Sequence, residues 1–201
     1  MKTDRTQQIQ KIYDDVVNFK NSPLYKYRIE NNYKPVIGEG DPYSPIIFIG
    51  EAPGKNEAIQ GRPFCGASGR LLDELLKSIN VDRKKVYIAN IVKDRPPENR
   101  DPTPKEIELY TPFLDRQLEI IQPKVIVTLG RFSMSYIMTK FGLTDKLQSI
   151  SVIHGQAFKT QAPYGEMYVL PLFHPAAALY MGSKKKILTD DIQKVKKYIK
   201  I

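Results

Sequence analysis

The sequence predicts an α/β fold, a three-layer sandwich around a central four-stranded parallel sheet in the order 2-1-3-4, with helices on both faces. Three observations lead there. Short apolar runs alternate with segments whose apolar residues recur every three or four positions. The runs are apolar throughout, as strands covered on both faces are. No internal repeat, low-complexity tract or linker breaks the pattern, so residues 1–201 are expected to form one domain.

The elements follow in order. Ile9, Ile12, Val16 and Phe19 give residues 5–20 a helical face, and a polar, turn-rich stretch runs from Pro23 to Pro42. Ile46-Ile47-Phe48-Ile49, closed by Gly50, is the first strand. Leu71, Leu72, Leu75, Leu76 and Ile79 line the next helix, and Val86 to Val92 is the second strand. Thr103 before Pro104 is an N-cap followed by proline at the first helical position. The helix continues through Ile107, Tyr110, Leu114 and Leu118, with a kink expected at Pro112. Val125 to Leu129, closed by Gly130, is the third strand, with a helix over 131–141. Residues 149–160 are expected to form a hairpin around Gly155. Met167 to Leu172 is the last strand, and a helix over 187–199 ends the chain.

Composition narrows the function classes. The hydrophobic fraction of 41% is that of a globular protein, and no run approaches the roughly 20 apolar residues that span a bilayer. The N-terminus carries no apolar secretory segment. Cys65 is the single cysteine, so an all-cysteine metal site is excluded and a reducing, cytoplasmic location is the expectation. The formal charge of +9, from 31 Lys+Arg against 22 Asp+Glu, favours a polyanionic partner. Lys184, Lys185 and Lys186 are expected in a loop that reaches phosphates, and Lys194 to Lys200 on a solvated helix face.

The polar and turn-forming residues gather where open α/β sheets bind ligands, beyond the carboxyl ends of the strands. Gly50-Glu51-Ala52-Pro53-Gly54 follows strand one, Asn90 closes strand two, and His174-Pro175 follows strand four. The glycine loop matches neither a P-loop nor a dinucleotide fingerprint.

Gly50-Glu51-Ala52-Pro53-Gly54, Glu57 and Gly61-Arg62-Pro63-Phe64 together resemble the first motif of the family 4 uracil-DNA glycosylases. The resemblance continues in order through Gly69 to Asp73, Asn90 to Lys93, Arg95 to Arg100, Pro102 to Ile107 and His174 to Leu179, covering roughly residues 12 to 180. It implies a protein that flips deoxyuridine out of DNA and hydrolyses its glycosidic bond. Phe64 is then expected to stack on the uracil. Asn90 would give its amide N–H to uracil O4 and accept from N3–H, a pattern that cytosine reverses. His174 would donate to O2 as charge develops on the leaving base. Glu51 and Glu57 are the acidic candidates for water or the cationic sugar, and Ala52 belongs to the base pocket. Cys65 is expected only to line its loop, and His154 to be structural.

For DNA, Arg95, Arg100 and Lys184 to Lys186 are the expected phosphate contacts, and Tyr180 or Met181 the wedge that fills the gap left by the flipped base. Members of that family hold a [4Fe–4S] cluster through four cysteines. The matching positions here are Phe19, Ser22, Asp94 and Tyr110, so no cofactor and no metal is expected. The expected partner is uracil-containing DNA, bound by a monomer. The competing reading is a catalytically weak or inactive glycosylase-fold module that binds DNA beside a replication or repair protein. A covalent relative that traps DNA through a histidine after strand two is set aside, because no histidine lies between Asn90 and Tyr110.

Overall fold

The computed structural model describes residues 4–198. After helices α1 (Arg5–Val17) and α2 (Tyr25–Glu30), strands β1 (Glu39–Gly40) and β2 (Ile46–Gly50) lead into α3 (Lys55–Gln60) and α4 (Ala67–Ser78). Strand β3 (Tyr87–Asn90) feeds α5 (Pro104–Ile121), and β4 (Val125–Leu129) feeds α6 (Arg131–Lys140). The turn-length α7 (Ile150–Ile153) precedes β5 (Phe158–Ala162) and β6 (Gly165–Leu172), and α8 (Pro175–Tyr180) and α9 (Gly182–Val195) follow.

Alternate residues of each central strand face opposite layers. Ile46, Phe48, Ile88, Val127 and Leu170 pack against Leu72, Leu75 and Leu76 of α4 and Leu188 and Ile192 of α9. Ile47, Ile49, Ala89, Ile126 and Val169 pack against Leu114 and Leu118 of α5 and Ile137 and Met138 of α6. Each such side chain removed from water contributes about 1.5–3 kcal/mol, which is why these strands are apolar on both faces. Helix α1 lies outside α5, where Ile12 and Val16 meet Tyr110.

The sheet is larger than expected and mixed. Its order is β1-β3-β2-β4-β6-β5, in which β3, β2, β4 and β6 are parallel and the two edges antiparallel. The four-strand expectation missed the edges because β1 is two residues long and β5, Phe-Lys-Thr-Gln-Ala, is half-exposed and polar. The hairpin around Gly155 is also corrected. Residues 150–153 form a helical turn, and the real hairpin joins β5 to β6, with Ala162 opposite Gly165. The last helix begins at Gly182, so Lys184 to Lys186 lie in its first turns and not in a loop. Lys200 lies outside the described residues.

Helix α5 starts where the sequence placed it. Thr103 accepts from the Glu106 N–H and the Glu106 carboxylate accepts from the Thr103 N–H at 2.8 Å, a reciprocal cap. The helix continues through Pro112, which has no N–H for the Glu108 carbonyl; the Thr111 hydroxyl donates to that carbonyl at 3.1 Å instead.

Candidate active site

The parallel strands end level with one another, and that register builds the site. Gly50 and Asn90 are direct partners across β2 and β3, and the Gly130 N–H donates to the Leu172 carbonyl at 2.9 Å beyond β4 and β6. A cleft of about 680 Å³ opens over these ends, lined by Glu51, Ala52, Phe64, Asn90 and His174 among others. The β2 loop, the β3 end and the β6 end thus meet at one place.

Asn90 is 1% exposed, and neither its Oδ1 nor its Nδ2 has a hydrogen-bond partner. A buried amide without partners costs several kcal/mol unless something supplies them, so this side chain faces the cleft with one donor and one acceptor group unspent. Gly50 makes the space. A Cβ there would stand 2.3 Å from Asn90 Oδ1 and 2.8 Å from two ring carbons of Phe64. Phe64 lies beside the amide with a left-handed backbone, φ 49°, and its ring stacks on His174 at 5.6 Å between centroids. It is both core and cleft wall, being 4% exposed and packed with α4.

His174 caps α8. Its Nδ1 accepts from the Ala176 N–H at 3.1 Å, which fixes the tautomer with the proton on Nε2. Removal from water drives its pKa down to about 4, so the ring is neutral at physiological pH. The result is a neutral imidazole with one free donor beside Phe64.

Glu51 sits across the cleft, where its carboxylate accepts from the Phe132 N–H at 3.2 Å at the start of α6. Burial raises its pKa, and this helix-terminal hydrogen bond opposes that rise. Gly130 (φ 103°) gives it room, since a Cβ there would lie 2.3 Å from Glu51 Oε1. Glu57 differs. Both its oxygens accept backbone N–H groups, from Gly54 and from Phe64. That pairing makes it the brace that holds the two loops of the cleft together.

The expected DNA contacts divide. Arg95 is 7% exposed, and its guanidinium donates to the Tyr27 and Tyr33 hydroxyls and to Asn99 Oδ1. It organises the loop after β3 through Nε and Nη1, which leaves the two N–H groups of Nη2 as the donors it can offer a phosphate. Arg100 lines the cleft but forks onto both oxygens of Glu106. Lys184 lies over the Phe173 ring, Lys185 pairs with Glu74 at 3.1 Å, and Lys186 is exposed. Met181 is 53% exposed at the entry to α9; the Tyr180 side chain lies outside what is described. The sequence reading missed Leu179, an exposed apolar residue on the cleft rim, and the Arg131–Asp101 ion pair beside Glu51. Only the fold brings residues 101 and 131 together, so no local signal marked that pair.

Phe19, Ser22, Asp94 and Tyr110 converge, as the resemblance implied. The Tyr110 hydroxyl meets Ser22 Oγ at 2.6 Å and donates to Asp94 Oδ2 at 2.5 Å, while Phe19 packs edge-on against the Tyr110 ring. Arg28, itself buried, stands 3.5 Å from Asp94 Oδ1. Burial raises the Asp94 pKa to about 6 against the opposing pull of Arg28 and Tyr110. These side chains fill the space and offer no thiolate, so an iron–sulfur cluster does not fit them. Among the described residues, no three His, Cys, Asp or Glu side chains converge as a metal site, and no helix is long and apolar enough to cross a membrane.

Comparison with known proteins bears on this geometry. The sequence model of the uracil DNA glycosylase superfamily matches residues 37–198. The chain is 44% identical over 189 residues to a type-4 uracil-DNA glycosylase of Sulfurisphaera tokodaii, covering 94% of this chain and 83% of the relative. It is 45% identical over 187 residues to that of Saccharolobus solfataricus, covering 92% and 83%. The similarity to that of Archaeoglobus fulgidus is 40% over 184 residues, covering 92% and 89%.

Proposed function

The chain belongs to the uracil-DNA glycosylase superfamily, and from that premise we infer that it hydrolyses the N-glycosidic bond of deoxyuridine in DNA, a step of base excision repair. Water adds to C1′ of the sugar as the bond to uracil N1 breaks. The bonding electrons leave with the base, which takes up a proton, and an abasic sugar remains.

The observation that carries the assignment of roles is the unpartnered Asn90 amide. A uracil edge supplies both missing partners, O4 for Nδ2–H and N3–H for Oδ1. Cytosine supplies neither in that orientation. Phe64 stacks on the base, and the Nε2–H of His174 meets O2 as negative charge gathers there, where a neutral donor adds stabilisation in the transition state. Glu51, held at the start of α6 by the Phe132 N–H, orients water or stabilises the cationic sugar. Ala52 closes the pocket beside it. Leu179 and Met181 are the apolar side chains available as a wedge, and Lys184 to Lys186, with Arg100 at the rim, supply the positive field for the backbone. All these groups come from one chain, so a monomer suffices. Excision from a uracil-containing oligonucleotide by the purified protein tests the reading.

The same reading has the protein working without an iron–sulfur cluster, supported by the Ser22–Tyr110–Asp94 hydrogen bonds that occupy the ligand positions. Active protein is expected to be colourless and to carry no stoichiometric iron. A broad visible absorption accompanied by bound iron in the active fraction contradicts this.

A further inference from the structure

Behind the cleft, on the side of β3 away from the base, lies a buried lysine. Lys93 is 0% exposed. Its ammonium donates to the Asn90 carbonyl at 2.7 Å, to Gln117 Oε1 at 2.5 Å and to the Ile37 carbonyl at 3.4 Å. Three N–H groups meet three acceptors. Gln117 is itself fixed, because its amide donates to the Ile37 carbonyl at 3.0 Å and to the Tyr87 hydroxyl at 3.2 Å.

No carboxylate is among these contacts. Burial alone pushes the lysine's pKa down to about 7, so holding this amine inside the protein costs stability. An apolar side chain of similar length would fill the same space but leave the Asn90 carbonyl and Gln117 Oε1 without a donor. The place where the cost is spent is informative: one of the three bonds goes to the main chain of Asn90, whose side chain has no partner of its own in the protein to hold it.

We propose that Lys93 is a positioning residue for base recognition, pinning the Asn90 main chain from behind so that the Asn90 amide meets uracil at a fixed angle. The neighbouring chain is already tied to the catalytic loop, since Ile91 N–H donates to the Gly50 carbonyl at 3.1 Å and Val92 N–H to the Glu51 carbonyl at 3.0 Å. The Asn90 carbonyl points the other way, and Lys93 holds it. Loss of that bond frees the 90–91 peptide to tilt. A tilt that displaces the amide by about 1 Å costs on the order of 100-fold in rate.

The inference rests on the uracil-excising function, and the experiment separates the two. Single-turnover excision is measured for the native protein and for Lys93→Met, which keeps length and removes the charge. The variant is expected to lose about 10- to 100-fold in the rate constant. Its reaction amplitude and its Kd for undamaged DNA should match the native protein, and inhibition by free uracil should weaken. Its Tm should be unchanged or modestly lower, because relief of the buried amine is set against the Asn90 carbonyl and Gln117 Oε1 left without a donor. A native protein that releases no uracil overturns the function itself. A native protein that is active beside an equally fast Lys93→Met, or one that loses amplitude at the native rate constant, overturns the role given to Lys93. Gln117→Met provides the reading if Lys93→Met fails to fold: it removes one anchor of the lysine without touching Asn90. It should slow excision several-fold with unchanged DNA affinity, and an unchanged rate overturns the proposal.

Discussion

His174→Ala is expected to slow uracil release about 100- to 1000-fold, the usual cost of deleting one donor to a developing oxyanion. Its Kd for undamaged DNA should stay the same, because the imidazole faces the base pocket and its Nδ1 is engaged within α8. Single-turnover excision alongside binding to a uracil-free duplex separates the two quantities. Equal excision rates remove the histidine from the mechanism while leaving the function standing. A stability signature accompanies the rate. The folded pKa of about 4 lies below the ordinary histidine value of about 6.5, so between those values the unfolded chain binds more protons than the folded one. Stability from this residue is therefore present above pH 6.5 and lost as pH falls towards 4. His174→Ala should lack that portion of the acid decline in Tm.

Asn90→Asp is expected to remove uracil recognition. The amide's two buried contacts with the base become one repulsion, between carboxylate and O4, and one retained acceptor. Leaving a buried polar group unpaired costs about 1–3 kcal/mol, so the two groups of the one lost contact, O4 and the carboxylate oxygen facing it, give about 2–6 kcal/mol, or about 30- to 10⁴-fold in rate. The side chain is isosteric and Gly50 still clears space for it, so the fold should persist. Rates on paired oligonucleotides that differ only in uracil or cytosine measure the outcome. An Asn90→Asp protein that still prefers uracil by the native ratio contradicts base reading by this residue.

Much of the site was legible because strand ends announce themselves locally. Gly50, Asn90 and His174 each close a run of apolar residues, and β2, β3 and β6 carry them to one level. The illegible parts depend on distant chain. Arg95 reads as a phosphate ligand from its neighbours alone, whereas Tyr27 and Tyr33, more than sixty positions away, accept from its Nη1 and tie it into the protein. The brace that Glu57 makes to the Phe64 backbone was not visible in the sequence, because that hydrogen bond depends on how the loop from 61 to 66 folds back. Lys93 drew no notice as a buried group, since the Gln117 that completes its shell is one helix away. Helix α9 was started five residues late because its apolar periodicity begins at Ile187, whereas its first turn is polar and exposed. The β5 edge was hidden by its mixed polarity, and Gly155, with φ 68°, serves the turn after α7 instead of a hairpin.

The most direct test gives the purified protein single- and double-stranded oligonucleotides carrying uracil at one position, with matched cytosine and thymine controls, followed by alkaline cleavage. Strand scission at uracil alone, with free uracil recovered in equal amount, is the expected result. Protein that binds these DNAs yet leaves uracil in place in both single and double strands would contradict the account and leave a DNA-binding module with a glycosylase fold.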